Sequence, residues 1–509
     1  MKQLIKYIIL AGVSLFVALH PLDIEAQKPT KIKLLRANDL KYSKQLGEKV
    51  QRLIGNVQLQ HDSALLYCDS AYLYELTNSF KGFGNVHIKA SDTLNIFSNR
   101  LLYDGNTKIA ELIDEVRLVE NDATLFTSHL WYNRGTEIAY YLEDGKIVDS
   151  SNTLTSTRGY YYTRKKEVYF KKNVVLYNKE YTMYADTLMY NTETETAWFY
   201  GPTTIMSKEN LIYCEKGWYN TRQDIARFGD NAYIQTKEQI LKGDDLYYDR
   251  NRNYGEARNN VSLTDTIQDI VVYGHYGEFR KSEGYSFITD STVAVLADKE
   301  DSLFMHSDTL WILFDSLQKA ELMLGYHHTK FWRKELQGMC DSLVYNFADS
   351  TIYLFTEPVL WSGINQLTAD SIHIAIRNKQ IDTLALVGSS FIVSMDDTLS
   401  KTTFNQVKGR TMTGYFKNNE LVKVNVKGNA ESIFFVREDN SSLIGINKTT
   451  SNDLNIYLSE NEVQTISPMK NVEAQMYPDK DLPVEDRKIK GFKWIEDKRP
   501  LKKEDIFVW

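Results

Sequence analysis

The chain is 509 residues long, 43% apolar, 25% charged and 12% aromatic, with 26 Gly and 8 Pro. That is too apolar for a disordered polymer and too glycine-poor for a collagen. Lys and Arg number 60 against 67 Asp and Glu, a formal charge of −7, and this acidic balance argues against a nucleic-acid partner, which needs a basic footprint. With 33 tyrosines and so little proline, the composition favours β-structure.

Residues 1–26 read as a secretory leader. Lys2 and Lys6 precede the apolar run Tyr7 to Leu19, and Ile24-Glu25-Ala26 stands where a peptidase would cut. The rival reading is a single membrane anchor, for which thirteen apolar residues are short of the ~20 a span needs. No cysteine lies near the cut, so a lipoprotein is not expected, and an exported, soluble mature chain is.

Beyond the leader the sequence repeats itself. The blocks CDSAYLY (68–74), SNRLLYD (98–104), TSHLWYN (127–133), ADTLMYN (185–191), CEKGWYN (214–220), GDDLYYD (243–249) and CDSLVYN (340–346) share one pattern. Taking the second residue of each block as an anchor gives Asp69, Asn99, Ser128, Thr157, Asp186, Glu215, Asp244, His275, Asp308, Asp341 and Asp370. Most are 29 residues apart, stretching to 33 after residue 275. Two and four places after each anchor come apolar or small residues, a period of two that puts both columns on one face of a strand. The next position is often Asn or Asp (Asp104, Asn133, Asn191, Asn220, Asp249, Asn346), which starts turns.

Between anchors lies a second element: GNVQL (55–59), GNVHI (84–88), EVRL (115–118), NVVL (173–176), DNAYI (230–234) and NNVSL (259–263). Its alternation makes another strand, and the Gly-Asn or Asn-Asn before it is a turn signal. Each unit is thus two short strands, stacked on its neighbours because neither can bury its apolar face alone. A helical 29-residue repeat is excluded by the period of two. The expected architecture is all-β, an elongated repeat-built jellyroll or solenoid of about a dozen units over residues 27–435. Residues 436–509, which hold Pro468, Pro478, Pro483 and Pro500, form a cap and a partly extended tail. Cys68, Cys214 and Cys340 share the column before the anchor, units apart, and are expected as isolated buried thiols.

No catalytic motif is present: no G-x-S-x-G, no phosphate-binding glycine loop and no H-E-x-x-H. His327 and His328 are adjacent on a strand and point apart, which makes a poor metal clamp. The acidic anchors are spread over many units, whereas a β-helical enzyme concentrates its unusual residues in one or two. Neither catalysis nor a cofactor or metal is expected. The Val, Leu and Tyr columns either close on each other as core or splay into a groove; periodicity alone favours closure.

The pattern GNV-x-φ, then D-x-L-x-Y-N/D, then a return to GNV resembles the OstA/LptA family. It is clear in GNVQLQHDSALLYCDSAYLY (55–74), GFGNVHIKASDTLNIFSNRLLYD (82–104), KNVVLYNKEYTMYADTLMYN (172–191) and RNNVSLTD (258–265), and covers most of residues 30–430. The chain looks most like the longer OstA-like proteins of the Bacteroidetes type. The resemblance implies a β-jellyroll in the periplasm, in association with outer-membrane assembly. There it would carry lipopolysaccharide, with lipid A acyl chains in the apolar interior. Sister jellyrolls of the transport bridge and the outer-membrane translocon would pair with it end to end by strand augmentation, with residues 30–60 as the N-terminal edge. Carried over to this sequence, the interior columns are Val57, Leu59, Val86, Ile88, Leu101, Tyr103, Leu130, Tyr132, Leu188, Tyr190, Leu246 and Tyr248. The family has no catalytic residues to transfer, and the chain has no room for the translocon's barrel. Two rivals belong to other classes: an exported β-solenoid binding surface polysaccharide through exposed aromatics, and a polysaccharide-degrading β-helix.

Overall fold

Turns that follow the repeat's aromatic column are made by the Asn or Asp the sequence marks for them. The Asp104 carboxylate accepts from the backbone N–H of Asn106 (2.8 Å) and Thr107 (3.2 Å). Asn133 does the same for Gly135 (2.9 Å) and Thr136 (3.1 Å), and Asn191 for Glu193 (3.0 Å) and Thr194 (2.9 Å). A short acceptor side chain that bonds its own backbone two and three residues on reverses the chain wherever the repeat places it.

The computed structural model describes residues 30–42, 47–208, 210–267, 269–296, 302–317, 319–377, 380–396, 402–417, 420–438, 442–459 and 462–509. The leader expected over residues 1–26 lies outside them. Among the described residues there is no α-helix, only antiparallel strands and a few 3-10 turns. The fold is all-β, repeat-built and of jellyroll type, and it divides into two compact units, Met1–Glu143 and Asp144–Trp509.

In the first unit the strands Val50–His61, Ala64–Tyr74, Ser79–Lys89, Leu94–Asp104, Ile109–Glu120 and Ala123–Asn133 pair in succession. Their lengths of 10 residues and more exceed the short strands read from the repeat, because the Gly-Asn step does not end a strand. Ile54 pairs with Ser70 and Val57 with Cys68, so Gly55 and Asn56 together oppose the single anchor Asp69. Both are left-handed, with φ of 75° and 47°. Two residues against one make a bulge that bends the strand while the ladder continues on either side. The same corner recurs at Gly84-Asn85 and Asp114-Glu115 in the first unit. In the second it recurs at Lys172-Asn173, Asp230-Asn231, Asn259-Asn260 and Asp290-Ser291. Every long strand therefore contributes one half to each of two layers, and the apolar columns of both halves bury between them.

The anchor column has a definite task at these corners. The Asn85 carboxamide donates to Asp69 (2.8 Å), Asn231 to Glu215 (3.0 Å) and Asn260 to Asp244 (2.7 Å). His328 bonds Asp308 (2.8 Å) and His327 bonds Asp341 (2.9 Å), one neighbour on either side, so the histidine pair stands at a corner position, where only His328 (φ 53°) is left-handed. The anchors are bracing groups.

In the second unit strands of this type run from Glu167–Asn178 through Leu443–Ser459, followed by Glu462–Met469 and Glu473–Tyr477. The β-structure thus crosses the boundary expected at residue 435: Glu420–Arg437 and Leu443–Ser459 pair along their length. A corner at Gly428-Asn429 holds the pattern there, in a unit too long to match the 29-residue spacing.

Corners demand residues that accept positive φ. At Gly84 (φ 71°) a Cβ would in addition collide with the Asp69 carboxylate. Gly84→Ala should therefore lower folding stability by about 1–3 kcal/mol, read as a fall in urea midpoint. Gly135→Ala, in a turn where φ is not positive, should fall by much less.

Candidate functional site

Side chains one and three places after a corner, and two and four after an anchor, face the space between the layers. Ten of the twelve columns read from the sequence are buried: Val57, Leu59, Val86, Ile88, Leu101, Tyr103, Leu130, Tyr132, Leu188 and Leu246 are each 5% exposed or less. Tyr190 and Tyr248 are only half-buried. The cysteines lie in the same interior. All three are free and buried, and desolvation pushes their thiols up to about 11 at Cys68 and about 12 at Cys214 and Cys340.

The mouth of the first unit's interior is closed by polar side chains. His61 is wholly buried, its Nδ1 2.7 Å from the Tyr103 hydroxyl and its Nε2 2.9 Å from the Thr30 carbonyl. A carbonyl only accepts, so Nε2 carries the proton, and the Tyr103 hydroxyl donates to Nδ1. Arg134 completes the closure by donating to the Tyr103 oxygen (3.0 Å) and to the His61 carbonyl (3.1 Å). Outside it, the Thr30 hydroxyl and then the Lys108 ammonium (2.9 Å) hold the Asp62 carboxyl at about 2. No lining residue here meets solvent: Leu59, Ile88, Tyr103 and Tyr132 are core.

The second unit treats the same columns differently. Its floor is sealed, with Phe170, Phe199, Phe228 and Leu246 buried and Ala185, Ala232 and Ala257 packed among them. Toward the mouth the inward residues become partly exposed. Tyr161, Tyr190, Tyr219, Tyr248 and Phe279, four places after successive anchors, form an aromatic row on one layer. Leu176, Ile205, Ile212, Ile234, Leu241 and Leu263 form an aliphatic row on the other. Tyr181 stands among the aliphatic row, where burial first and the neighbouring Tyr190 next push its phenol up. The Tyr219 hydroxyl is turned to the turn residue Asp224 (2.6 Å), which leaves its ring on the apolar side. The two rows flank a slot with a dry floor and amphipathic lips, both rows packed on the buried core and joined at the mouth by the ion pair of Arg250 with Glu180 (3.7 Å). The sequence identified Tyr190 and Tyr248 in it and passed over Tyr219, which sits in the same column.

Both terminal edges are lightly built. Lys33–Arg36 and Asp39–Tyr42 pair only with Val50–His61 among the described residues, and expose Leu35, Leu40 and Tyr42. Glu462–Met469 and Glu473–Tyr477 pair only with Leu443–Ser459 among the described residues, exposing Val463, Met469 and Met476.

The sequence profile of OstA-like proteins matches residues 29–186 and 178–244. Among solved structures, the chain is similar to LptH of Pseudomonas aeruginosa. That protein is described as the LptA-homologous periplasmic component of the lipopolysaccharide transport device; identity is 14%, with 28% of this chain and 96% of that chain covered at a TM-score of 0.22. No curated protein matches the chain.

Because the Asp62 carboxyl sits below its ordinary 3.8, its stabilisation of the Thr30 edge is complete above about pH 4 and is lost as the pH falls through about 2. Solvent screening limits the effect to about 1 kcal/mol. Hydrogen exchange at residues 30–36 should accelerate over that window in the native chain, and Asp62→Asn should remove the acid step.

Proposed function

We propose that this OstA-like chain is a periplasmic carrier of the lipopolysaccharide-transport type, holding lipid A acyl chains along the slot of its second unit. The observation that carries the reading is the half-exposed Tyr190, Tyr219 and Tyr248 row facing the Ile205, Ile212, Ile234 row above a sealed floor. An acyl chain gains about 0.8 kcal/mol for each CH₂ it buries and asks for no directed polar contact. Aliphatic and aromatic rows are suited to such a ligand, and tyrosines at the lips present an apolar ring inward and a hydroxyl to the rim. The OstA-like sequence of residues 29–244 supports the same reading.

On this reading the first unit's columns are structural core under a closed mouth, and the cargo lies further along the chain. The function on this reading is non-catalytic, which the OstA-like sequence of residues 29–244 supports. The exposed edges at Leu35, Leu40 and Tyr42 and at Val463 and Met476 support strand addition by sister jellyrolls at either end, since unpaired edge groups take another strand readily.

Photocrosslinking residues placed at Tyr190, Tyr219 and Tyr248 in cells should each capture lipopolysaccharide. Outward Tyr184 and Tyr200, about half exposed, should not. Positions Leu59 and Tyr132 in the closed unit should give little or none. Equal capture at inward and outward sites, or none anywhere from abundant folded protein, would sink the carrier reading and favour an exported scaffold.

A further inference from the structure

The outer face of the second unit changes character along the chain. On the layer formed by the halves that follow a corner, the earlier strands expose Tyr177, Tyr184, Met206 and Tyr273 to solvent, each by about half. On the later strands the corresponding face buries Trp361, Phe391, Val393, Phe404, Ile433 and Ile446. What covers it is the segment after Pro478, which crosses the strands instead of pairing with them. Leu482 and Ile489 are buried against Phe404, Phe435 and Ile446, with Phe492 and Trp494 packed alongside. Ile495 packs on Met339, Val359 and Trp361.

The covered face contains buried polar groups that bond the covering segment. Gln406 is 1% exposed; its amide donates to the Arg487 carbonyl (2.7 Å) and its oxygen accepts from the Ile489 N–H (2.8 Å). Gln366, also 1% exposed, repeats the arrangement with the Lys493 carbonyl (2.8 Å) and the Ile495 N–H (2.7 Å). Each glutamine thus reads a carbonyl and the N–H two residues later, as a neighbouring strand would. Gln337 accepts from Arg499 (2.9 and 2.6 Å), and the buried Lys330 ammonium donates to the carbonyls of Lys498 (3.0 Å) and Val508 (2.5 Å). The rings of Phe507 and Trp509 then rest on His306 and His328, each 4.8 Å between centroids. These ties reach, in order, the strands Phe404–Lys417, Asn365–Thr368, Leu336–Asn346, Ala320–Arg333 and Leu303–Phe314.

A cross-strand tie opposes any motion that slides or fans one strand against the next, and buried amides without it would be left unpaired. We propose that residues 478–509 are a strap that locks this layer of the later strands in register, so that the ability of the two layers to move apart is confined to the unstrapped strands before residue 303. The lock stands whatever fills the slot.

The test is hydrogen exchange on the full chain, native against Gln366→Leu/Gln406→Leu, substitutions that keep side-chain bulk but cannot read a backbone. Expected are at least tenfold faster exchange at the Ile489 and Ile495 amides and a parallel acceleration in Leu336–Asn346, Asn365–Thr368 and Phe404–Lys417, with Glu167–Asn178 and Thr196–Ser207 unchanged. Faster exchange in the strap with none beneath it would reduce the strap to a passive cover. No change at Ile489 and Ile495 would refute the glutamine ties. Should the double variant fail to fold, Lys330→Met, which cuts the ties at residues 498 and 508 alone, should accelerate Ala320–Arg333 and Leu336–Asn346; no acceleration there overturns the lock. None of these readouts involves lipid, so they are decided independently of the carrier reading.

Discussion

Everything in this molecule depends on two left-handed residues facing one anchor. A strand that crosses from one layer to the other must bend sharply without abandoning its backbone hydrogen bonds, because unpaired groups inside a jellyroll have no water to turn to. The corner achieves this with one extra residue in one strand of each pair. A left-handed non-glycine residue costs about 1–2 kcal/mol, least for Gly, Asn and Asp. That is why Gly55-Asn56, Gly84-Asn85, Asp230-Asn231 and Asn259-Asn260 stand there. The anchor carboxylate then accepts from the corner carboxamide and offsets part of the cost. Without corners the strands would make a flat sheet and there would be no interior to fill.

Given that frame, the difference between a core and a slot is made at the mouth by a few side chains. His61, Tyr103, Arg134 and Thr30 close the first unit with a fully satisfied hydrogen-bond network. Such a network makes a rigid seal only because each member has its partner; an orphaned imidazole would be an opening waiting for water. The second unit has tyrosines at the same column with hydroxyls turned to turns such as Asp224, and there the ends of the two layers are joined by an ion pair of Arg250 with Glu180 (3.7 Å) instead of a buried network.

The strand columns, the turn residues and the buried thiols were legible in the sequence, since alternation and short polar turn formers act locally. The meaning of Gly-Asn was not. The pair announces positive φ, and positive φ serves a reversal and a mid-strand corner equally; only the pairing of Ile54 with Ser70 and Val57 with Cys68 decides. The difference in burial between Tyr103 and Tyr190 was hidden because both occupy the same column with the same residue, and Tyr103 is covered by His61 and Arg134, 42 and 31 residues away. The strap was illegible for a stronger reason: its hydrogen-bond partners lie 81 to 178 residues away. A signal existed in the alternation of Lys488-Ile489-Lys490 and Lys493-Trp494-Ile495, a strand-like pattern in a proline-rich segment that the repeat did not claim.

The outward aromatics bear on the rival reading as a polysaccharide-binding solenoid. A sugar ring is bound by laying its apolar face on a free aromatic face. Here the outer rings use their faces on one another: Tyr67 stacks on His87 at 5.5 Å and 20°, and His87 on Phe97 at 4.5 Å and 11°, with the Arg117 guanidinium over Phe97 at 5.2 Å. In the second unit Tyr213 and Tyr233 stack at 5.4 Å and 20°. Successive strands lie about 4.8 Å apart, so cross-strand rings at like positions are brought to stacking distance by the ladder itself. These rings stabilise the sheet and present their edges to solvent. Tyr177, Tyr184, Tyr200 and Tyr273, each exposed by about half, are the outer rings such a sugar would have to use.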